Sequence, residues 1–251
     1  MPKLLHRSLL AACLAAALLP AGAKDLTVSA AASLKDAFQD IAKAYEQQHR
    51  GVSIKLNTAG SGALVQQLLQ GAPADVLATA DQQSMDMAAE KNGIVRTSRR
   101  TFVRNDLVIV VPQAGSHPVR SLKDLQKPEI DRIAISHPDS VPVGRYSKAA
   151  LEKAGLFRQL KPKVISTQNV RQSLDYVARG EVDAGFVYRT DAALMPGKVR
   201  VTHTVALDKP VTYPIAVTAN SSDKAEAQRF VNFVTSAQGR QILNRYGFGK
   251  P

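Results

Sequence analysis

The sequence predicts an α/β protein built from two lobes with a ligand cleft between them. Strand patterns alternate with helix patterns along most of the chain, which is typical of a largely parallel sheet covered by helices on both faces. The alternation restarts after a long apolar strand at 107–111, so two such blocks are expected. Open α/β sheets bind ligands at the carboxyl ends of their strands, so two facing edges would enclose a small ligand.

The first block contains three strand–helix units. Its strands are predicted at 26–30, 52–56 and 74–79, and the helices that follow them begin at Ser33, Ser61 and Asp81. Ser33 and Asp36 form a Ser-x-x-Asp variant of the capping box, which marks a helix start.

The turn Gly60-Ser61-Gly62 is the most informative stretch of this block. The helix after it has apolar residues at 64, 65, 68 and 69, and Ser61 occupies the expected N-cap position. The two glycines would let a ligand approach the backbone, and a helix start offers unpaired N–H groups to a small anion. An ordinary capped helix after a glycine-rich turn is the alternative interpretation.

The second block repeats the pattern and the chain then returns to the first. Strands are predicted at 133–135, 164–165, 184–188 and 211–217, with helices at 145–153, after Asn169, and at 222–234 and 236–246. The last two helices are expected to pack on the first block. This division places residues 24–109 and 206–251 in lobe 1 and residues 110–205 in lobe 2.

Residues 1–23 have the order of a secretory signal peptide. A short basic start precedes an apolar run, and Ala21-Gly22-Ala23 is a small-residue cleavage site. The only cysteine, Cys13, lies in this segment, where Leu10-Ala11-Ala12-Cys13 also matches a lipoprotein cleavage box. The apolar run continues past Cys13, which favours cleavage over lipid anchoring. A periplasmic protein without disulfides is therefore expected.

The net charge of +12 raises the alternatives of nucleic-acid or membrane binding. The basic residues are scattered, and only Arg99 and Arg100 are adjacent in the sequence. Aromatic residues are few and tryptophan is absent, so no base-stacking surface is predicted. A solvated basic surface and no nucleic-acid partner are expected.

Four strand-to-helix turns are candidates for the cleft, at Ser33, Ser61, Val143-Gly144 and Asn169-Val170. Each helix start contributes roughly half a positive charge, so the four together suit a compact dianion without requiring an arginine. Arg145 and Arg171 nevertheless lie close to these turns. Tyr188, at the end of a strand, is either a hydroxyl donor from the second lobe or a half-buried core residue.

Several motifs occur together and in a recognisable order. They are Ala30-Ala31-Ala32-Ser33-Leu34, Gly71-Ala72-Pro73-Ala74-Asp75-Val76, Ala80-Asp81-Gln82, Val141-Pro142-Val143-Gly144-Arg145-Tyr146, Asn169-Val170-Arg171, Gly185-Phe186-Val187-Tyr188 and Arg245-Tyr246-Gly247-Phe248. In these motifs the chain resembles the periplasmic molybdate-binding proteins of bacterial ABC importers. The resemblance implies the type II periplasmic-binding-protein fold, a monomer without a cofactor, and a membrane permease as partner.

The resemblance also implies a set of ligand-binding residues for molybdate or tungstate. Ser33 and Ser61 match the two serines that hold the oxyanion through their hydroxyls. Val143 and Val170 match the backbone N–H donors, and Tyr188 matches the tyrosine donor. No protein atom is expected to coordinate molybdenum directly. Some family members carry a run of serines where this chain has Gly60-Ser61-Gly62, so further hydroxyl contacts there are not implied.

Other functions remain as alternatives. Ser61 is not in a Gly-x-Ser-x-Gly nucleophile elbow, and neither His117 nor His137 has a second metal ligand at ligand spacing, so catalysis is not expected. A binding protein for another oxyanion, such as sulfate or phosphate, is the nearest alternative. A ligand-sensing regulator is more distant, since no helix-turn-helix precedes the first strand.

Overall fold

Two five-stranded sheets, each flanked by helices, form the two lobes of the protein. The computed structural model describes residues 24–115 and 119–251. The predicted signal peptide, Cys13 and His117 lie outside the described residues. The strands are β1 Lys24–Ala31, β2 Val52–Ala59, β3 Val76–Ala78, β4 Arg100–Asn105, β5 Leu107–Pro112, β6 Ile133–Ser136, β7 Val164–Thr167, β8 Ala184–Tyr188, β9 Val199–Thr204 and β10 Val211–Val217.

The helices fill the connections between these strands. They are α1 Lys35–Gln48, α2 Ser61–Leu69, α3 Gln82–Glu90, α4 Pro142–Lys153, α5 Phe157–Leu160, α6 Val170–Ala178, α7 Arg189–Ala192, α8 Lys224–Thr235 and α9 Ala237–Arg245. Short 3-10 turns occur at Ala32–Leu34, Arg96–Ser98, Leu122–Gln126 and Lys161–Lys163. In the part of the chain that the structure describes, no helix is both long and apolar enough to cross a membrane.

The two sheets have the same internal organisation. The first has the order β2-β1-β3-β10-β4 and the second the order β7-β6-β8-β5-β9. In each sheet three strands run parallel, and the fourth strand, β10 or β5, pairs antiparallel with both of its neighbours. The α/β class agrees with the prediction. The sheets, which were expected to be largely parallel, are mixed, because β5 and β10 run antiparallel to their neighbours. Each of these two strands is the first one after a crossing between the lobes.

The chain crosses between the sheets twice. It passes from β4 to β5 at Asp106 and returns from β9 to β10 through residues 205–210. We define the first lobe as residues 24–105 and 211–251 and the second as 107–204. The domain boundary expected after residue 109 falls inside β5, whose paired residues all lie in the second sheet.

The first lobe is closed by the C-terminal helices, as predicted. The ring of Tyr45 in α1 meets Phe230 and Phe233 of α8 edge-on, with centroids 5.2 and 5.3 Å apart. The hydroxyl of Tyr45 donates to the carboxylate of Glu226, also in α8. Because these side chains are buried, α8 is fixed against α1 and completes the core of the lobe.

Helix α4 and strand β4 also differ from the sequence prediction. Helix α4 begins at Pro142, not at Arg145, because proline suits the first turn of a helix, where its missing N–H needs no partner. Strand β4 was not predicted, since arginines stand at both its first and fifth positions. Its central Phe102 and Val103 are buried and pack in the first lobe.

Candidate functional site

A small cavity lies between the lobes, where the carboxyl ends of six strands face one another. All five residues predicted to bind the ligand, Ser33, Ser61, Val143, Val170 and Tyr188, line it. The remaining lining residues are Ala31, Ala32, Ala59, Gly60, Ala80, Val141, Pro142 and Asn169. The cavity has a volume of about 10 Å³, counted as the space open to the centre of a water-sized sphere. That is room for one compact species, not for an organic ligand.

Ser61 is the first residue of α2 and is fully buried. Gly60 is the N-cap, so the predicted N-cap role of Ser61 is wrong. The Ser61 Oγ instead accepts a hydrogen bond from the backbone N–H of Ala80 at 3.0 Å. Because that bond uses an oxygen lone pair, the hydroxyl hydrogen of Ser61 is available to a ligand.

Ser33 lies in the 3-10 turn before α1, and its predicted capping box with Asp36 is not formed. The Ser33 Oγ lies 3.0 Å from the hydroxyl of Tyr213 in β10. The side-chain amide of Asn105 donates to the same Tyr213 hydroxyl at 3.3 Å. With Asn105 donating to Tyr213 and Tyr213 donating to Ser33, the hydroxyl hydrogen of Ser33 is also available to a ligand.

The second lobe offers main-chain N–H groups at two helix starts. The side chain of Asn169 caps α6 by accepting from the N–H groups of Arg171 and Gln172, which leaves the N–H of Val170 for another acceptor. In α4, Pro142 has no N–H and therefore Val143 provides the first donor of the helix. Both valines lie in first turns, where no intrahelical acceptor is in reach.

Tyr188 ends β8 and is almost completely buried. Among the residues that the structure describes, its hydroxyl has no hydrogen-bond partner. Burial raises the pKa of Tyr188 well above its ordinary value, so the hydroxyl keeps its proton. The ring packs edge-on against Tyr213 with centroids 5.9 Å apart. Tyr188 is therefore a core residue that also lines the cavity, and the donor role of its hydroxyl stays a prediction.

No charged side chain lines the cavity in the described part of the chain. The two arginines near the helix starts are held elsewhere. The Nε of Arg145 donates to Asp81 at 2.8 Å, and Arg171 pairs with both Asp36 and Asp191. Burial lowers the pKa of Arg171, but the attraction of the two carboxylates outweighs it and the net shift is upward. The positive potential in the cavity therefore comes from helix starts.

The glycines of the Gly60-Ser61-Gly62 turn lie against the opposite lobe, and only Gly60 of the two also lines the cavity. A Cβ atom on Gly62 would lie 2.5 Å from the carbonyl oxygen of Ser140, and one on Gly60 would lie 3.0 Å from that of Gln168. Both carbonyls belong to the second lobe. The glycines therefore allow the backbones of the two lobes to meet beside the cavity.

Sequence reasoning missed the residues that support the ligand-facing groups. Tyr213 positions Ser33 and packs on Tyr188, and Asp81 both caps α3 and pairs with Arg145. The alternation of Val211, Tyr213 and Ile215 in a predicted strand was a signal that Tyr213 points inward. Asp81 could have been found from its position after a strand end. No group of metal-ligating side chains occurs within residues 24–115 and 119–251.

Comparisons with known proteins find relatives over most of the chain. The family model described as bacterial extracellular solute-binding protein matches residues 26–249. The molybdate-binding protein ModA of Escherichia coli is 36% identical over 228 residues, which cover 89% of this chain and 88% of the relative. The putative ABC transporter substrate-binding lipoprotein YvgL of Bacillus subtilis is 37% identical over 225 residues, covering 89% of this chain and 85% of the relative.

A solved structure supports the fold. The periplasmic molybdate-binding protein of Azotobacter vinelandii superimposes with a TM-score of 0.80 at 23% identity, covering 90% of this chain and 99% of that chain. At that identity the likeness concerns the two-lobed architecture. Since the family model spans nearly the whole described chain, the protein belongs to the bacterial extracellular solute-binding protein family.

Proposed function

We propose that the protein binds molybdate, and also tungstate, in the interlobe cavity and delivers it to the permease of a bacterial ABC importer. Its relatives named for molybdate binding and for ABC transport support this assignment. We further propose that it acts in the periplasm as a monomer, without a cofactor and without a protein ligand to the metal.

The observation that carries the proposal is a small cavity between the lobes surrounded by neutral donors. Its lining contains two serine hydroxyls, a tyrosine hydroxyl without a partner in the described chain, and the starts of α2, α4 and α6. Fixed neutral donors around a space for one compact species suit a small dianion, because hydrogen bonds to an ionised acceptor are short and strong. An organic ligand would need more room.

Each predicted residue has a role in this proposal. Ser33 and Ser61 donate their hydroxyl hydrogens to oxyanion oxygens from the first lobe. Val143 and Val170 donate main-chain N–H groups from the second lobe, and Tyr188 donates its hydroxyl. Since donors come from both lobes, the ligand binds fully only when the lobes are closed over it.

Binding without catalysis is the function that these contacts favour. The Ser61 Oγ has the backbone amide of Ala80 as its partner, and no histidine lines the cavity in the described chain. A serine nucleophile needs an adjacent base to take its proton. The groups around Ser61 are instead arranged to donate.

Calorimetric titration with molybdate, tungstate, sulfate and phosphate tests the proposal. Sulfate is a smaller tetrahedral dianion, and fixed backbone donors cannot extend to reach it. Two donors left unsatisfied, at about 1–3 kcal/mol each, amount to a discrimination of roughly thirtyfold or more. Tungstate should bind much like molybdate, and phosphate poorly, because its monoprotonated form brings a donor into a site of donors. Displacement of bound molybdate by comparable concentrations of sulfate or phosphate contradicts the proposed ligand.

A further inference from the structure

Two arginines of the second lobe make ionic contacts across the cleft. Arg145 follows the ligand-facing Val143 by two residues in α4, and Arg171 follows Val170 by one in α6. Each guanidinium group reaches a carboxylate of the first lobe, Asp81 for Arg145 and Asp36 for Arg171. The helix starts that face the ligand therefore also carry the ionic contacts between the lobes.

The Arg145–Asp81 contact is the better buried of the two. Its side chains are 14% and 6% exposed, and the distance from Nε to Oδ2 is 2.8 Å. The Nη2 of Arg145 adds a hydrogen bond of 2.7 Å to the hydroxyl of Ser84 in α3. Its Nη1 lies 3.2 Å from the carbonyl oxygen of Asp139 in its own lobe. The guanidinium group thus bridges both lobes with directed bonds, which makes it sensitive to their separation.

Asp81 and Arg145 also lie between the cavity and a larger groove. Both line a groove of about 620 Å³ beside the second crossing segment, whereas Ala80 and Val143 line the cavity. The pair therefore adjoins both the cavity and the groove.

Arg171 makes ionic contacts with both lobes. Its Nη2 lies 2.7 Å from the Asp36 carboxylate in the first lobe, and its Nε donates to Asp191 in the second lobe. Asp191 is completely buried, so it holds Arg171 in place within the second lobe while Asp36 meets it from across the cleft. Neither arginine lines the cavity.

From these contacts we propose that Arg145–Asp81 and Arg171–Asp36 are two interlobe latches, which hold the lobes closed over the anion and keep both arginines from binding it. The inference rests on the proposed function for its ligand, but the latch itself is a property of the two lobes. It assigns a positioning role to four residues outside the predicted ligand set. Opening of the cleft separates each pair, so weakening a pair should speed opening and release of the ligand.

The test compares Asp81→Asn and Arg145→Gln with the wild type. Asparagine is as good an N-cap as aspartate, so the side-chain oxygen of Asp81→Asn can still accept from the N–H of Ser84 in α3. Its NH2 group then replaces the oxygen that accepts from Arg145, so the ionic attraction and that hydrogen bond are both lost. Dissociation is followed by loading the protein with molybdate enriched in one isotope, chasing with natural molybdate, and measuring the isotope ratio of the protein by mass spectrometry. Each single variant should release molybdate at least about tenfold faster. The double variant should show less than the product of the two effects.

The matched control is Arg99→Gln. Arg99 pairs with Asp86 at 2.6 Å, but both residues belong to the first lobe, so its loss should leave the release rate unchanged. If Arg145 instead binds the anion, Asp81→Asn should slow the release of molybdate, because Arg145 freed from Asp81 would hold molybdate more tightly. Slower or unchanged release from Asp81→Asn, or equal acceleration by Arg99→Gln, overturns the latch.

A second readout separates failure of the latch from failure of the proposed ligand. If calorimetry finds no molybdate binding by the wild type, the proposed function is wrong. The latch is then tested in the protein alone, by pulsed spin-label distances between Gln70→Cys in the first lobe and Lys161→Cys in the second, in a Cys13→Ser background. Asp81→Asn should reduce the short-distance population. The latch proposal is wrong if the wild type lacks the short-distance population, or if Asp81→Asn leaves that population unchanged.

Discussion

The backbone amide of Gly62 in the first lobe donates to the carbonyl oxygen of Ser140 in the second lobe at 2.9 Å. This main-chain bond joins the first turn of α2 to the loop before α4, directly beside the ligand cavity. A Cβ atom at position 62 would lie 2.5 Å from the same oxygen, well inside contact distance. Only glycine therefore allows this approach, and the closed arrangement depends on it.

Gly62→Ala should disfavour closure without disfavouring folding. Gly62 lies in a helix, where alanine is favoured over glycine by up to about 1 kcal/mol, and the clash arises only across the cleft. We expect unchanged or higher thermal stability and at least about tenfold weaker molybdate binding, because closure is required for the donors of the second lobe. Calorimetry and thermal unfolding measure the two effects. Gln66→Ala, at an exposed position one turn along α2, is the control and should change neither much.

Ser33→Ala and Ser61→Ala should each weaken molybdate binding by about 1.5–3 kcal/mol, because each removes a hydrogen bond to a charged acceptor. Their effects on stability should differ. Ser61→Ala leaves the buried amide of Ala80 without its acceptor, whereas Ser33→Ala leaves Tyr213 still bonded to Asn105. Chemical denaturation should therefore find Ser61→Ala the less stable of the two. Wild-type affinity in the double variant would contradict the assignment of both serines.

Tyr188→Phe should separate stability from binding. The hydroxyl has no partner in the described chain while the ring is packed on Tyr213. Phenylalanine keeps the ring and removes a buried unsatisfied group, so the unliganded protein should be as stable as the wild type or more stable, by up to about 1–3 kcal/mol. Release of molybdate should be faster, since the donor is lost. An unchanged release rate would show that the Tyr188 hydroxyl does not bind the ligand and that the residue is purely structural.

Much of the architecture is predictable from local sequence patterns. Alternating strand and helix periods, together with strand ends that carry Ser33, Ser61, Asn169 and Tyr188, lead to the two-lobed fold and to one cleft. These features are predictable because period and capping chemistry act over a few residues. The family resemblance supplied the particular ligand set.

Contacts between distant segments could not be read in the same way. Ser33 lies 180 residues from Tyr213, and the partner of Arg145, Asp81, lies in the other lobe. Gly62 was expected to let a ligand approach the backbone. A glycine in a sequence indicates that some group comes close to the backbone, but not whether that group is a ligand or, as here, the carbonyl of Ser140. The mixed sheets were missed for a related reason, since only the folded chain shows that β5 and β10 enter their sheets antiparallel.

The buried carboxyl of Asp191 should make the free energy of unfolding fall as pH rises. Burial raises the pKa of Asp191 to about 6; the adjacent Arg171 offsets only part of this effect, and the negative charge of Asp36 adds to it. An unfolded aspartate has a pKa near 3.9. Between about pH 4 and pH 6 the folded protein therefore holds a proton that the unfolded chain has released.

The sign of the effect follows from this difference in bound protons. Because the folded state binds more protons in that window, the contribution of Asp191 to the free energy of unfolding falls as pH rises through it. A shift of two units corresponds to a loss of at most about 3 kcal/mol, complete above pH 6. Urea unfolding of the unliganded protein at about pH 4 and about pH 7 measures it, and Asp191→Asn should lack this fall, since an amide does not titrate. Asp131→Asn, at an exposed position of the same lobe, controls for the change in net charge. An equal pH dependence in the wild type and Asp191→Asn would show that Asp191 is ionised throughout, held by Arg171.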